Sequence, residues 1–127
     1  MSNISDLLDA GGILIGSRAL GVENDDSDWD IVILEKNLPY RFLNHDRYKD
    51  PSDYLNVFPM GNINLLRLYK LDIIIYDEEE DIKAIQDALE YIKGYSKDDL
   101  KFKSSRIQLF EAALLHTGRF SYEKSKC

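Results

Sequence analysis

Residues 15–34 read IGSRALGVENDDSDWDIVIL, and the rest of the chain is placed by this stretch. A short apolar run, Ile13-Leu14-Ile15, stops at Gly16-Ser17. Asp28 and Asp30 then bracket Trp29, and a second apolar run, Ile31-Val32-Ile33-Leu34, follows at once. Two β-strands separated by a turn and a polar loop account for this pattern. Small residues in Gly16-Ser17-Arg18-Ala19-Leu20-Gly21 permit a tight turn whose outward amides receive an anion. Side chains alternate along a strand, so Asp28 and Asp30 project from one face and Trp29 from the other, where it packs.

The whole chain is consistent with one domain over 1–127, made of a core over 1–93, a C-terminal helix over about 97–118 and a frayed tail. A hydrophobic fraction of 44% with 31% charged residues indicates a folded globular protein rather than a disordered one. The net charge of −7 argues against a broad basic nucleic-acid surface and is compatible with holding cations. Cys127 is the single cysteine, so neither an intrachain disulfide nor a cysteine metal cluster is expected. The start, MSNISDLLDA, lacks the basic and apolar segments of a signal peptide, and no apolar run reaches the length of a membrane span. A reducing, cytoplasmic location without a membrane partner is the expectation.

Taken in order, residues 2–10 read as a short helix capped by Ser2 or Ser5 and ended by Gly11-Gly12. Residues 36–62 carry weak signals: a turn at Leu38-Pro39, a helical turn at Tyr40–Leu43, a polar stretch broken at Pro51, a short strand at Tyr54–Phe58 and a turn over 59–62. Ile63–Leu68 and Leu71–Tyr76 read as strands joined at Tyr69-Lys70. Five acids, Asp77 to Asp81, precede a helix over Ile82–Lys93, where they favour the positive end of the helix dipole. Ser96–Asp99 is a polar break able to cap a last amphipathic helix that ends near Gly118, with SYEKSKC as the frayed tail.

Phosphoryl-transfer chemistry needs backbone donors for a polyphosphate beside carboxylates that hold divalent cations. Gly16-Ser17 supplies the first and Asp28 with Asp30 the second. A third carboxylate on a neighbouring strand is then expected. Asp72, in LDIII, fits because an acid inside an apolar run is costly to bury without a cation or partner, while Asp77 takes its place if the register differs. The string Gly16-Ser17-x-Ala19-x-Gly21, then Ser27-Asp28-x-Asp30, then Asp72, resembles the minimal nucleotidyltransferases of the DNA polymerase beta-like superfamily. KSSRIQLFEAALL near the end is similar to phage-encoded nucleotidyltransferases.

That resemblance implies an α+β (α/β) fold, a mixed sheet with helices packed mainly on one side. It also implies two Mg²⁺ ions, with Mn²⁺ as a substitute, on Asp28, Asp30 and Asp72 as the catalytic and metal-binding set. Gly16 and Ser17 would hold the triphosphate of an NTP, ATP by default, and Arg18 would neutralise its charge. Asp72 would help deprotonate an acceptor hydroxyl on a protein, a small molecule or a tRNA end. A small helical protein is the partner suggested by minimal relatives. The alternative is a catalytically inactive member of the fold serving as a binding or regulatory protein of phage or mobile-element origin. The remaining polar residues have plainer readings: Asp25 and Asp26 as loop solvation, His45 and His116 as isolated surface or structural groups, Arg106 on the solvent side of the last helix.

Overall fold

The computed structural model describes residues 2–46, 57–59 and 63–122. Residues 47–51 of the expected polar stretch, the Tyr54–Asn56 part of a strand, the turn residues 60–62 and residues 123–127, Cys127 included, lie outside the described residues.

Helix α1 (Ser2–Asp9) leads into strand β1 (Ile13–Ile15). Gly12 is required at this passage, since a Cβ there would stand 2.7 Å from the Leu7 carbonyl oxygen and 2.8 Å from Ile31 Cγ2. The turn helix α2 (Gly16–Leu20) and a loop then deliver the chain to β2 (Trp29–Leu34). Two single 3-10 turns follow at Glu35–Asn37 and Tyr40–Phe42, the second matching the helical turn expected there. Strand β3 (Val57–Pro59) precedes the hairpin β4 (Ile63–Leu68) and β5 (Leu71–Tyr76). Helix α3 (Glu79–Ile92), a short α4 (Lys97–Leu100), α5 (Lys103–His116) and β6 (Phe120–Tyr122) complete the order.

Four strands form a mixed sheet in the order β1-β2-β5-β4. β2 and β5 are parallel and central, while β1 and β4 run antiparallel at the edges. The central position explains the unbroken aliphatic character of IVIL and IIIY: both faces are covered, so alternation with polar residues is not needed. One face carries Val32, Leu65, Ile74 and Tyr76 against Ala84, Ile85, Ala88, Leu89 and Ile92 of α3 and Phe110, Ala113 and Leu114 of α5. The other carries Ile31, Ile33, Leu66, Ile73 and Ile75 against Leu7 of α1, Leu38 and Phe42. The long helices thus lie on one side, and the opposite side is closed by α1 and the 3-10 turns. This is the mixed-sheet α+β architecture expected from the sequence.

Two details depart from expectation. The single last helix is two, α4 and α5, separated at Lys101-Phe102, with Ser96 capping α4 by accepting from the Asp99 amide at 3.2 Å. Part of the tail expected to fray is instead a strand: β6 pairs antiparallel with β3, placing Phe120 opposite Pro59 and Ser121 opposite Phe58. The reason is burial. Phe120 is enclosed and meets the Tyr76 ring edge to face, with centroids 6.4 Å apart. Among the described residues no helix is long and apolar enough to cross a membrane.

Candidate active site

The site begins with the conformation of one residue. Gly16 has φ +78°, a region that a side chain disfavours, and this lets the chain reverse from β1 into α2. Ser17 follows as a buried polar residue on the turn. Arg18, expected to neutralise phosphate charge, lies against the loop that follows α2. Its Nη2 and Nε donate to the Ser27 carbonyl at 2.9 and 3.2 Å, and its guanidinium lies 4.3 Å from the centroid of the Trp29 ring. It therefore braces the loop that carries Asp28. The same loop is tightened by Asn24, whose side-chain oxygen accepts from the Asp26 amide at 2.8 Å, and by Ser27 Oγ, which accepts from the Asn24 amide at 2.9 Å.

Asp30 and Asp72 are direct partners across the parallel β2–β5 ladder. Both lie on the α3/α5 side of the sheet, in phase with Val32 and Ile74. Asp30 is buried and Asp72 half-buried; Asp28 is exposed just before β2. Asp77 lies beyond the other end of β5 and is exposed, so the register sets Asp72 beside Asp30. Trp29 points to the opposite face with the Leu7 cluster, as alternation requires. Its amide donates to the Lys70 carbonyl at 2.9 Å, which ties the start of β2 to the β4–β5 turn.

A cavity of about 700 Å³ opens over this end of the sheet, within the range of ligand pockets. Gly16, Ser17, Asp28, Asp30 and Asp72 all line it, and Arg18 is not among the lining residues. Asp26, expected only to solvate the loop, also lines it and pairs with Lys70 Nζ at 3.4 Å. Leu20, Val22, Leu89, Ile92, Ile107 and Phe110 form an apolar wall.

Five cations line the cavity as well: Arg67, Lys70, Lys101, Lys103 and Arg106. Arg67 Nε donates to Asp72 Oδ1 at 2.8 Å. Arg106, expected at the solvent side, is half-buried and donates to the Leu100 carbonyl at 3.2 Å. A local signal for Arg67 exists in the sequence: a two-residue turn at Tyr69-Lys70 makes residue 67 the partner of residue 72. No comparable local signal brings Lys101, Lys103 and Arg106 to this end of the sheet; that requires the packing of α5 on α3. His45 and His116 are exposed and stand apart from the cavity.

Carboxylate oxygens on one sheet end are donors suited to a hard divalent ion, so the residues fit one. Among the described residues, however, no three acidic, histidine or cysteine side chains close around a single point. Asp72 is instead held by Arg67.

A mixed sheet thus carries two carboxylates paired on its central strands, beside a glycine-serine turn in one cavity. The chain matches the family model of the nucleotidyltransferase domain over residues 3–115, and it belongs to that family. The family assigns the general chemistry, transfer of a nucleotidyl group, and an NTP as the substrate. No individual curated protein and no solved structure gives a significant match to the chain.

Proposed function

We propose that this protein transfers a nucleotidyl group from an NTP, ATP in the first instance, to an acceptor hydroxyl, with divalent cations held by Asp28, Asp30 and Asp72. The observation that carries the reading is the register pairing of Asp30 with Asp72 inside the same cavity as Gly16 and Ser17. Mg²⁺ is the first choice of ion and Mn²⁺ the alternative. When bound, such an ion neutralises charge on the phosphates.

The chain's own residues then have distinct tasks. Gly16 and Ser17 hold the triphosphate by backbone amide and hydroxyl. The apolar wall from Leu89, Ile92, Ile107 and Phe110 takes the nucleoside and excludes water. Asp72 accepts the proton of the attacking hydroxyl. The hydroxyl oxygen forms a bond to the α-phosphorus, the bond from that phosphorus to the bridging oxygen breaks, and pyrophosphate leaves. Arg18 contributes through the loop that it braces rather than by phosphate contact. The acceptor is a protein side chain, a small molecule or a tRNA end, and a small helical protein is the partner to try first.

The test is transfer from radiolabelled NTPs with Mg²⁺ or Mn²⁺ to those acceptor classes, paired with nucleotide binding by calorimetry. The reading expects saturable, cation-dependent NTP binding, and transfer that falls at least ~100-fold in Asp28→Ala/Asp30→Ala with the fold kept. A protein that binds no NTP with either cation, and transfers nothing, sinks it. NTP binding with no transfer to any acceptor favours the inactive, regulatory member of the fold.

A further inference from the structure

Three charged residues stand in one row across three adjacent strands. Arg67 on β4 is the partner of Asp72 on β5, and Asp72 is the partner of Asp30 on β2. Partners across a ladder share a face, and Leu65, Ile74 and Val32, one step along in the same phase, pack together on the α3/α5 side. Adjacent strands are roughly 4.8 Å apart, so two partly sequestered carboxylates repel unless a cation stands beside them. Arg67 is that cation in the structure. Its Nε donates to Asp72 at 2.8 Å while half of its side chain remains exposed, and the residue lines the cavity.

We infer that Arg67 is a resident counter-cation that occupies Asp72 until a divalent ion and the NTP polyphosphate displace it together. The inference rests on the nucleotidyltransferase reading of the cavity and adds an order of events to it. An ion arriving alone must compete with a charge-assisted hydrogen bond for Asp72. When the polyphosphate enters the same cavity, it offers the guanidinium a fork-shaped match as good as the one it leaves. Ion binding and nucleotide binding therefore assist each other, and neither fills the site efficiently alone. Arg67 is thus a positioning residue whose competition limits idle occupation of the site. A merely structural cross-strand ion pair would contribute a little stability and leave ion affinity unaltered.

The experiment measures Mn²⁺ binding to the full chain by electron paramagnetic resonance, and the tightening that Mn²⁺ confers on α,β-methylene ATP. Arg67→Gln is compared with the wild type, Arg67→Lys and Asp72→Asn. Arg67→Gln is expected to bind Mn²⁺ alone about tenfold more tightly than wild type, the size of one charge-assisted hydrogen bond released. Its Mn²⁺–nucleotide assistance shrinks by a similar factor, Arg67→Lys stays near wild type because the charge is kept, and Asp72→Asn removes the gain. The side chain is half exposed, so these variants fold. If Arg67→Gln and wild type bind Mn²⁺ alike while wild type shows Asp72-dependent Mn²⁺ binding with nucleotide, the inference fails and the nucleotidyltransferase reading stands. An Arg67→Lys protein that binds Mn²⁺ as tightly as Arg67→Gln also overturns it. Absence of Mn²⁺ and nucleotide binding in every protein overturns both.

Discussion

Gly16 combines a backbone constraint with the triphosphate-holding role proposed for it. At φ +78° a side chain costs roughly 1–2 kcal/mol, so Gly16→Ala should lower stability by about that amount and weaken NTP binding beyond it, checked by thermal denaturation and calorimetry. Arg18 predicts the complementary result. Arg18→Ala leaves the turn intact but frees the Ser27 carbonyl and the Trp29 ring, so hydrogen exchange over residues 22–28 should accelerate. If exchange in that loop is unchanged, the bracing role is wrong. At this scale the sequence is informative where conformation or burial forces a residue type. Gly16 is legible because little else fits a reversal after three aliphatic residues, and Asp72 because an acid within LDIII demands an explanation. Arg18 and Arg67 are less legible, because an arginine beside a site has no chain-local preference between a phosphate, a carbonyl and a carboxylate.

The β4–β5 hairpin is the element on which the site turns. Its two-residue connection places Lys70 at φ 57°, the one non-glycine residue in the left-handed region among those described. Strain held beside a cavity points to use of the side chain, and Lys70 both lines the cavity and pairs with Asp26. Lys70→Gly should therefore stabilise the fold by about 0.5–1 kcal/mol, the left-handed cost less the added chain entropy, while reducing NTP affinity. A melting temperature that falls would show that the strain argument fails. Strands β1, β2, β4 and β5 and helices α1 and α3 are legible because aliphatic runs and helical spacing are strong local signals. The division of the last helical stretch into α4 and α5 is not: Lys101-Phe102 lacks proline or glycine, and the break exists because Leu100 is buried in the core while Phe102 is exposed.

Across the whole molecule, one buried ion pair connects the N-terminal turn of α3 to the segment entering β6. Arg119 Nε donates to Asp81 Oδ1 at 2.5 Å, and its Nη2 donates to Glu78. Burial pushes the Asp81 carboxyl up from the ordinary range, further than the arginine draws it down; neighbouring Glu78 and Glu80 add to the rise. A carboxyl raised in the folded state takes up its proton more readily there than in the unfolded chain. The stability that it contributes is thus full below the unfolded value and is lost as pH rises through the folded one. The stability of wild type minus that of Asp81→Asn should accordingly decline as pH rises from about 4 and then level off above the folded value, measured by urea denaturation. Arg119→Met leaves Asp81 enclosed without its partner and should lower the melting temperature by at least about 5 °C at neutral pH. The sequence by itself determined the central strands, the Gly16-Ser17 turn, the three aspartates and the family to which they belong, because these depend on periodicity, chain reversal and the cost of burying charge. Only the tertiary structure decided that Asp30 faces Asp72, that Arg67 holds Asp72, and that Lys101, Lys103 and Arg106 share the aspartates' cavity. The first and the last depend on strand order and helix packing, which join residues too distant in the chain for any local preference to encode, whereas the hairpin fixes Arg67 opposite Asp72 locally and leaves open only which partner its side chain takes.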